Sequence, residues 1–414
     1  MRLEKEIAAF CKRSLIFWLI FFGPLIFFRF FVYSFVFSIG WNGWLIFSTS
    51  DLSILLFMVV GVAYFICIQI GKQRKIFIFL TCLASLFFFF VDNQVLLYLS
   101  FERAIFPVVC LIIFWGNTFE RFEAVYFLIF YSAVSSYPAL LGLFSDFFGP
   151  ISLNFSLSSL WSFVFLFAFL VKLPIYFFHY WLPKAHVEAP SFGRIILAGL
   201  LLKLGGWGLL RIINYLFFNV VVVFFIFFFL GGLLFAPFWA STHRDRKGLV
   251  AFSSICHMNF IALIVMFNSF ISKRISVLIF LTHDIISGII FWYVGIMYHI
   301  SFSRQIPFLS NSLVLSLSFG SGFIVFILSN FGVPPFITFP HEIVFISFIF
   351  SSSFFFFIFI RLYLVLICYF CLFLSMSLFS QKNTSFLNRR LYEECCFFIC
   401  CGFLLNLFLF RLVF

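Results

Sequence analysis

Long apolar runs, interrupted by short polar stretches, make up nearly the whole chain. Runs of about 17 to 25 apolar residues match the length at which a helix crosses a bilayer. They fall at approximately 14–38, 51–71, 75–91, 93–115, 122–144, 157–183, 190–212, 216–238, 248–268, 274–298, 317–350, 355–380 and 393–412. The pattern predicts an all-α polytopic membrane protein of about 13 transmembrane helices. Pro174 lies inside 157–183, and Pro334 with Pro335 lies inside 317–350, so these two helices should be discontinuous. Irregular backbone at membrane depth survives only inside protein or beside water. Two wet places within the membrane are therefore expected.

No polar stretch exceeds about fifteen residues, against roughly 50 for a small soluble domain. Residues 1–414 should form a single membrane domain. Each broken helix is followed by an apolar helix carrying a cation, Lys203 or Arg361, as in the inverted repeats of transporters. This spacing divides the chain into a first repeat at about 75–212, a second at about 216–380 and a C-terminal helix at about 393–412.

Composition agrees with the pattern: 64% of residues are hydrophobic and 10% charged, where a soluble domain carries roughly 25% charged residues. The net charge of +12 does not point to nucleic acid, because the cations sit in short loops. Loops on the N-terminal side hold Lys72, Arg74, Lys75, Arg244, Arg246, Lys247 and Arg304, among others, while the opposite side keeps little beyond Arg211, Lys273 and Arg274. By the positive-inside rule the N-terminus faces the matrix, if the membrane is mitochondrial. The 78 phenylalanines, mostly where leucine would serve, fit a thymine-rich organelle gene. The N-terminal MRLEKEIAAFCKR carries two glutamates, unlike a transit peptide. The eleven cysteines lie mostly in apolar segments and suggest no disulfide framework. Cys368 with Cys371, and the group Cys395, Cys396, Cys400 and Cys401, are the positions at which metal or redox chemistry is weighed. No GxGxxG follows a strand and no four-cysteine pattern has cluster spacing, so no cofactor is expected in this chain.

The chemistry concentrates in a few charges within apolar segments, where one charge costs roughly 3 kcal/mol or more. Glu102, in LYLSFERAIFP, has Arg103 beside it, but adjacent helical residues do not face each other, which makes Lys172 the candidate partner. Lys172 stands two residues before Pro174, where a carboxylate moving nearer or farther would change its proton affinity. Snorkelling to the interface is its structural alternative. Lys203 lies in LLLKLGGWG, either as a relay or as a cation capped by a helix that the glycines admit. His179, His257 and His283 are possible relays, since histidine titrates near neutral pH, and each also suits plain packing. His186, with Lys184 and Glu188, lacks a third ligand for zinc and fits a loop or water-access role. Glu342, beside His341 after the second break, is either a proton acceptor or a charge at a helix N-terminus.

These motifs taken together resemble the subunit 4 family of mitochondrial NADH dehydrogenase, the antiporter-like membrane subunits of complex I. The resemblance runs from about Asp51 to Glu342 on FERAIFP, the block from Val171 to Ile212, DRKGLVAFSSICHM, THD and NFGVPP. It implies translocation of protons across the inner membrane along an axis of Glu102, Lys172, Lys203 and Glu342, as part of NADH:ubiquinone reductase. It also implies NAD, FMN, iron–sulfur clusters and ubiquinone in partner subunits, with neighbouring antiporter-like subunits 2 and 5. Asp284, His341, His243 and Phe302 depart from the family's usual residues. A free-standing cation/proton antiporter and a structural spacer are the competing functions.

Overall fold

A computed structural model describes residues 75–91, 94–116, 118–148, 159–213, 220–243, 245–301, 317–333, 336, 338–352 and 361–369. The expected helices at 14–38, 51–71 and 393–412, most of 355–380, Pro334, Pro335, Arg304, and the cysteines at 371, 395, 396, 400 and 401 lie outside the described residues. Helices account for almost everything described. They are α1 (Lys75–Phe90), α2 (Gln94–Arg103), α3 (Ile105–Trp115), α4 (Arg121–Phe148), α5 (Ser159–Lys172) and α6 (Trp181–Glu188). There follow α7 (Ser191–Ile212), α8 (Val220–Thr242), α9 (Arg246–Met266), α10 (Phe270–Ser301), α11 (Leu317–Asn330) and α12 (Thr338–Ser352). Residues 361–369 are also helical.

Among the described residues, six continuous stretches are long and apolar enough to cross a membrane. They are predominantly apolar, as helices must be when both lipid and protein surround them. The expected 93–115 helix has one irregular turn, at Ala104: α2 ends at Arg103 and α3 resumes at Ile105, with Pro107 unable to donate to the turn before it. Ala104 still donates to Ser100 O at 3.1 Å, and Val95–Trp115 forms one span.

α7, α9 and α10 form the centre. α9 is buried over its whole length between α8 and α10, and α7 packs against α5 and α10. α4 and α8 are more exposed, and large side chains such as Phe106, Tyr126, Phe227 and Phe238 point outward where lipid or another subunit would meet them. Both predicted breaks are present. α5 stops at Lys172 and helix resumes at Trp181, while α11 stops at Asn330 and helix resumes at Thr338. Arg361 is exposed whereas Lys203 is fully buried, so the two cations set in parallel by the repeat pattern sit in different environments.

Candidate functional site

The first break is built from the sequence around Pro174. Proline has no N–H to offer and disfavours helix in the residue before it, so α5 ends and leaves carbonyls to be satisfied. Trp181 Nε1 donates to Val171 O at 3.2 Å, and Asn259 Nδ2 on α9 donates to Pro174 O at 3.1 Å. Asn259 fits because Gly232 on α8 has no side chain: a Cβ there would come 2.5 Å from Asn259 Cγ. Within the irregular stretch Phe177 holds a φ of 73°, a conformation in which a bulky residue is strained.

Lys172, the last residue of α5, is 2% exposed. Its ammonium lies 3.6 Å from Glu102 Oε1, donates to Phe101 O at 2.9 Å and sits over the Phe101 ring. The α2 carboxylate and the α5 lysine therefore meet across two helices. A cavity of about 10 Å³, the scale of one water, is lined there by Tyr131, Ser132, Lys172, Trp181 and Leu201.

Leu201 belongs to α7, where a π turn spans Leu197–Leu201 just before Lys203. The wider turn frees carbonyls from the regular ladder, a distortion common at functional sites. Lys203 Nζ donates to Ala198 O and lies 3.1 Å from His283 Nδ1 on α10. The glycines after it bring the helices close. A Cβ at Gly205 would come 2.9 Å from Phe169 O, and Gly206 and Gly208 face the rings of Phe280 and Phe169. Lys203 is thus held by a carbonyl of its own helix and by a titratable group on α10.

From His283 the ring of His257 on α9 is 5.7 Å away, centroid to centroid. Both line a second water-scale cavity of about 10 Å³, together with Thr282, Asn330, Thr338 and Glu342. This cavity sits at the second break. Thr338 Oγ1 donates to Ser329 O at 2.8 Å, the same service that Asn259 performs at the first. Gly332 has a φ of 72°, and Glu342 occupies the space its side chain would take, with Oε2 2.5 Å from where a Cβ would lie. Replacing Gly332 by alanine should strain the backbone by roughly 1–2 kcal/mol and push the Glu342 carboxylate away from the cavity. Backbone hydrogen exchange at Gly332 and Glu342 is expected to quicken severalfold in this variant; unchanged exchange would show that this placement of Glu342 is unimportant.

The structure thus brings Glu102 to Lys172, and Lys203, His283, His257 and Glu342 to one another. His179 does not join them. It sits in the turn after Pro174, stacked on Tyr180 at 4.6 Å and Tyr176 at 5.6 Å. His186 is buried and stacked on Phe291 at 4.5 Å, while Glu188 accepts from Thr118 Oγ1 and Lys184 pairs with Glu123. His243, between α8 and α9, is held below the usual histidine range by burial, with Asp245 acting the other way. Asn259, Thr338 and the π turn were not singled out from sequence. Asn259 was the most readable of the three, a lone amide in the apolar stretch of α9.

Irregular backbone at two membrane-depth breaks, with buried lysines and water-scale cavities beside them, is the architecture of an antiporter-like membrane subunit. Residues 92–368 match the family model described as NADH:quinone oxidoreductase/Mrp antiporter, TM, and the chain belongs to that family. Among its relatives is NADH-ubiquinone oxidoreductase chain 4 of Ascaris suum, 39% identical over 62% of this chain and 63% of the relative. The protein of the same name from Caenorhabditis elegans is 38% identical over 70% of this chain and 71% of its own length. A chain in the structure titled respiratory complex I from Thermus thermophilus with bound NADH superposes with a TM-score of 0.76 at 19% identity, covering 87% of this chain and 82% of that one. That likeness concerns the fold.

Proposed function

We propose that the chain is a membrane-arm subunit of respiratory complex I, of the chain 4 type, that translocates protons while electrons pass from NADH to ubiquinone in other subunits. The single observation that carries the reading is the pair of buried lysines, each met by a group able to exchange a proton: Lys172 by Glu102, and Lys203 by His283. A buried cation in a membrane is costly enough that a transport role is the default explanation.

Glu102 and Lys172 form the switch. When the carboxylate is close, it favours the charged lysine; when it moves away, burial favours the neutral amine and a proton is released. That proton passes to Lys203 and then by His283 and His257 to Glu342, with water in the two cavities completing the path. His179 stays outside this route. Nicotinamide, flavin, iron–sulfur and quinone chemistry belong to partner subunits, with subunits 2 and 5 as membrane neighbours. The location is the mitochondrial inner membrane with the N-terminus on the matrix side, and the two repeats run at about 75–212 and 216–380.

Proton pumping per NADH oxidised, measured in vesicles carrying the intact complex with Glu102→Gln or Lys172→Met, tests this. Unchanged assembly with pumping reduced to the leak level is the expected result. Full pumping in both variants would refute the axis. A free-standing antiporter, the other activity in the family's description, is separated by purification: the complex I reading requires co-migration with flavin and iron–sulfur proteins.

A further inference from the structure

α2 carries a cation that the axis above leaves unused. Arg103 follows Glu102 but turns outward: it is exposed, and it has no hydrogen-bond or ion-pair partner among the described residues. Its position is deep. Within the span Val95–Trp115 it lies about eight residues, or roughly 12 Å, from the nearer end. That is farther than an arginine side chain reaches, so the guanidinium does not arrive among lipid headgroups. Beside it a cavity of about 230 Å³ separates α1 from α2, with Ala84, Phe87 and Val91 on one side and Leu96, Leu99 and Arg103 on the other. These positions recur three and four residues apart, so the lining is one face of each helix. Phe87 and Leu99 are 46% and 40% exposed, which opens the cavity to the outer surface as a groove. Near Val91 a second cation, Arg211, is occupied in donating to Phe89 O and Val91 O.

A cation at this depth is costly without an anion to meet it, and the chain has none to spare. Of its fourteen acidic residues, only Glu102, Asp284 and Glu342 lie inside the apolar runs; the others lie at or beyond the ends of those runs. Glu102 is 3.6 Å from Lys172, Asp284 is buried on α10, and Glu342 lines the second cavity. We propose that the groove between α1 and α2 receives a membrane helix of a neighbouring subunit, whose apolar side chain fills the cavity and whose Asp or Glu pairs with Arg103. The planar guanidinium suits a carboxylate because its fork donates two parallel hydrogen bonds. An acyl chain would fit the groove as well, but its phosphate sits at the wrong depth for Arg103. This inference rests on the reading of the chain as one subunit of a larger membrane complex.

In the intact complex Arg103→Glu sets two anions against each other. Assembled complex on native gels is expected to fall severalfold in this variant and to stay near native in Arg103→Lys. Native abundance in Arg103→Glu overturns the proposal. Because a reversed charge also hinders insertion of the helix itself, the Arg103→Lys complex supplies the deciding measurement. Treated with dicyclohexylcarbodiimide, which dissolves in the membrane and activates carboxyl groups, it should form an amide between the amine introduced at position 103 and an Asp or Glu of another subunit, with the carbodiimide leaving as its urea. Mass spectrometry of the linked peptides identifies the partner. An amide to a carboxyl of this chain, to a second copy of it or to a carboxylated lipid overturns the proposal, and so does an assembled complex that yields no amide at position 103. Purification separates the two levels. A chain that purifies without flavin and iron–sulfur partners fails the complex I reading, whereas one that purifies with them and gives no such amide fails this inference alone.

Discussion

Replacing Lys203 by methionine is expected to reduce proton pumping per NADH to the leak level while the complex still assembles. Lys203 is 0% exposed and its ammonium is held between Ala198 O and His283 Nδ1. Methionine nearly matches the lysine in volume and flexibility, so the packing among α7, α5 and α10 has no large cavity to absorb. Removing a buried charge also relieves a desolvation cost, roughly 3 kcal/mol at mid-membrane on insertion scales. On the proposed axis the carrier of the proton is lost with it. Comparing complex abundance on native gels with pumping in vesicles reads both quantities, and a pumping-competent Lys203→Met complex would place the proton route elsewhere.

Gly205→Val is expected to act in the opposite way, on assembly first. A Cβ at this position would come 2.9 Å from Phe169 O and 3.0 Å from Leu173 N, backbone atoms at the end of α5 that cannot rotate aside. Overpacking of this kind costs about 1–3 kcal/mol. The gain of about 1 kcal/mol or less from removing a helical glycine does not offset it. Helices in lipid gain little from the hydrophobic effect and depend on close packing, so α7 should separate from α5. That shift also moves Lys203 relative to Lys172. A severalfold drop in assembled complex is the expected outcome, with a milder loss in Gly205→Ala; native abundance in both would show that α5 and α7 part without cost.

The two breaks illustrate how far sequence alone reaches. Pro174, and Pro334 with Pro335, mark where helix cannot continue, which is a local property of the residue. What closes each break is not local. Asn259 reaches Pro174 O from 85 positions along the chain, across a space that Gly232 keeps open, and Glu342 fills the void beside Gly332. Similarly, a lysine two residues before a proline is conspicuous in any apolar run, but the three candidate histidines were equivalent until the helices packed. His257 and His283 then fell beside Glu342, and His179 was left stacked between two tyrosines.

By itself the sequence determined the membrane class, the helical class, both helix breaks and the buried charges, because each follows from the cost of putting polar groups or unpaired backbone into lipid. The π turn before Lys203, the grouping of Lys203 with His283, His257 and Glu342, and the isolation of Asp284's oxygens were decided only by the tertiary structure. Apolar helices carry little amphipathic signal, so which faces meet is set by glycine-sized gaps and side-chain shape on other helices.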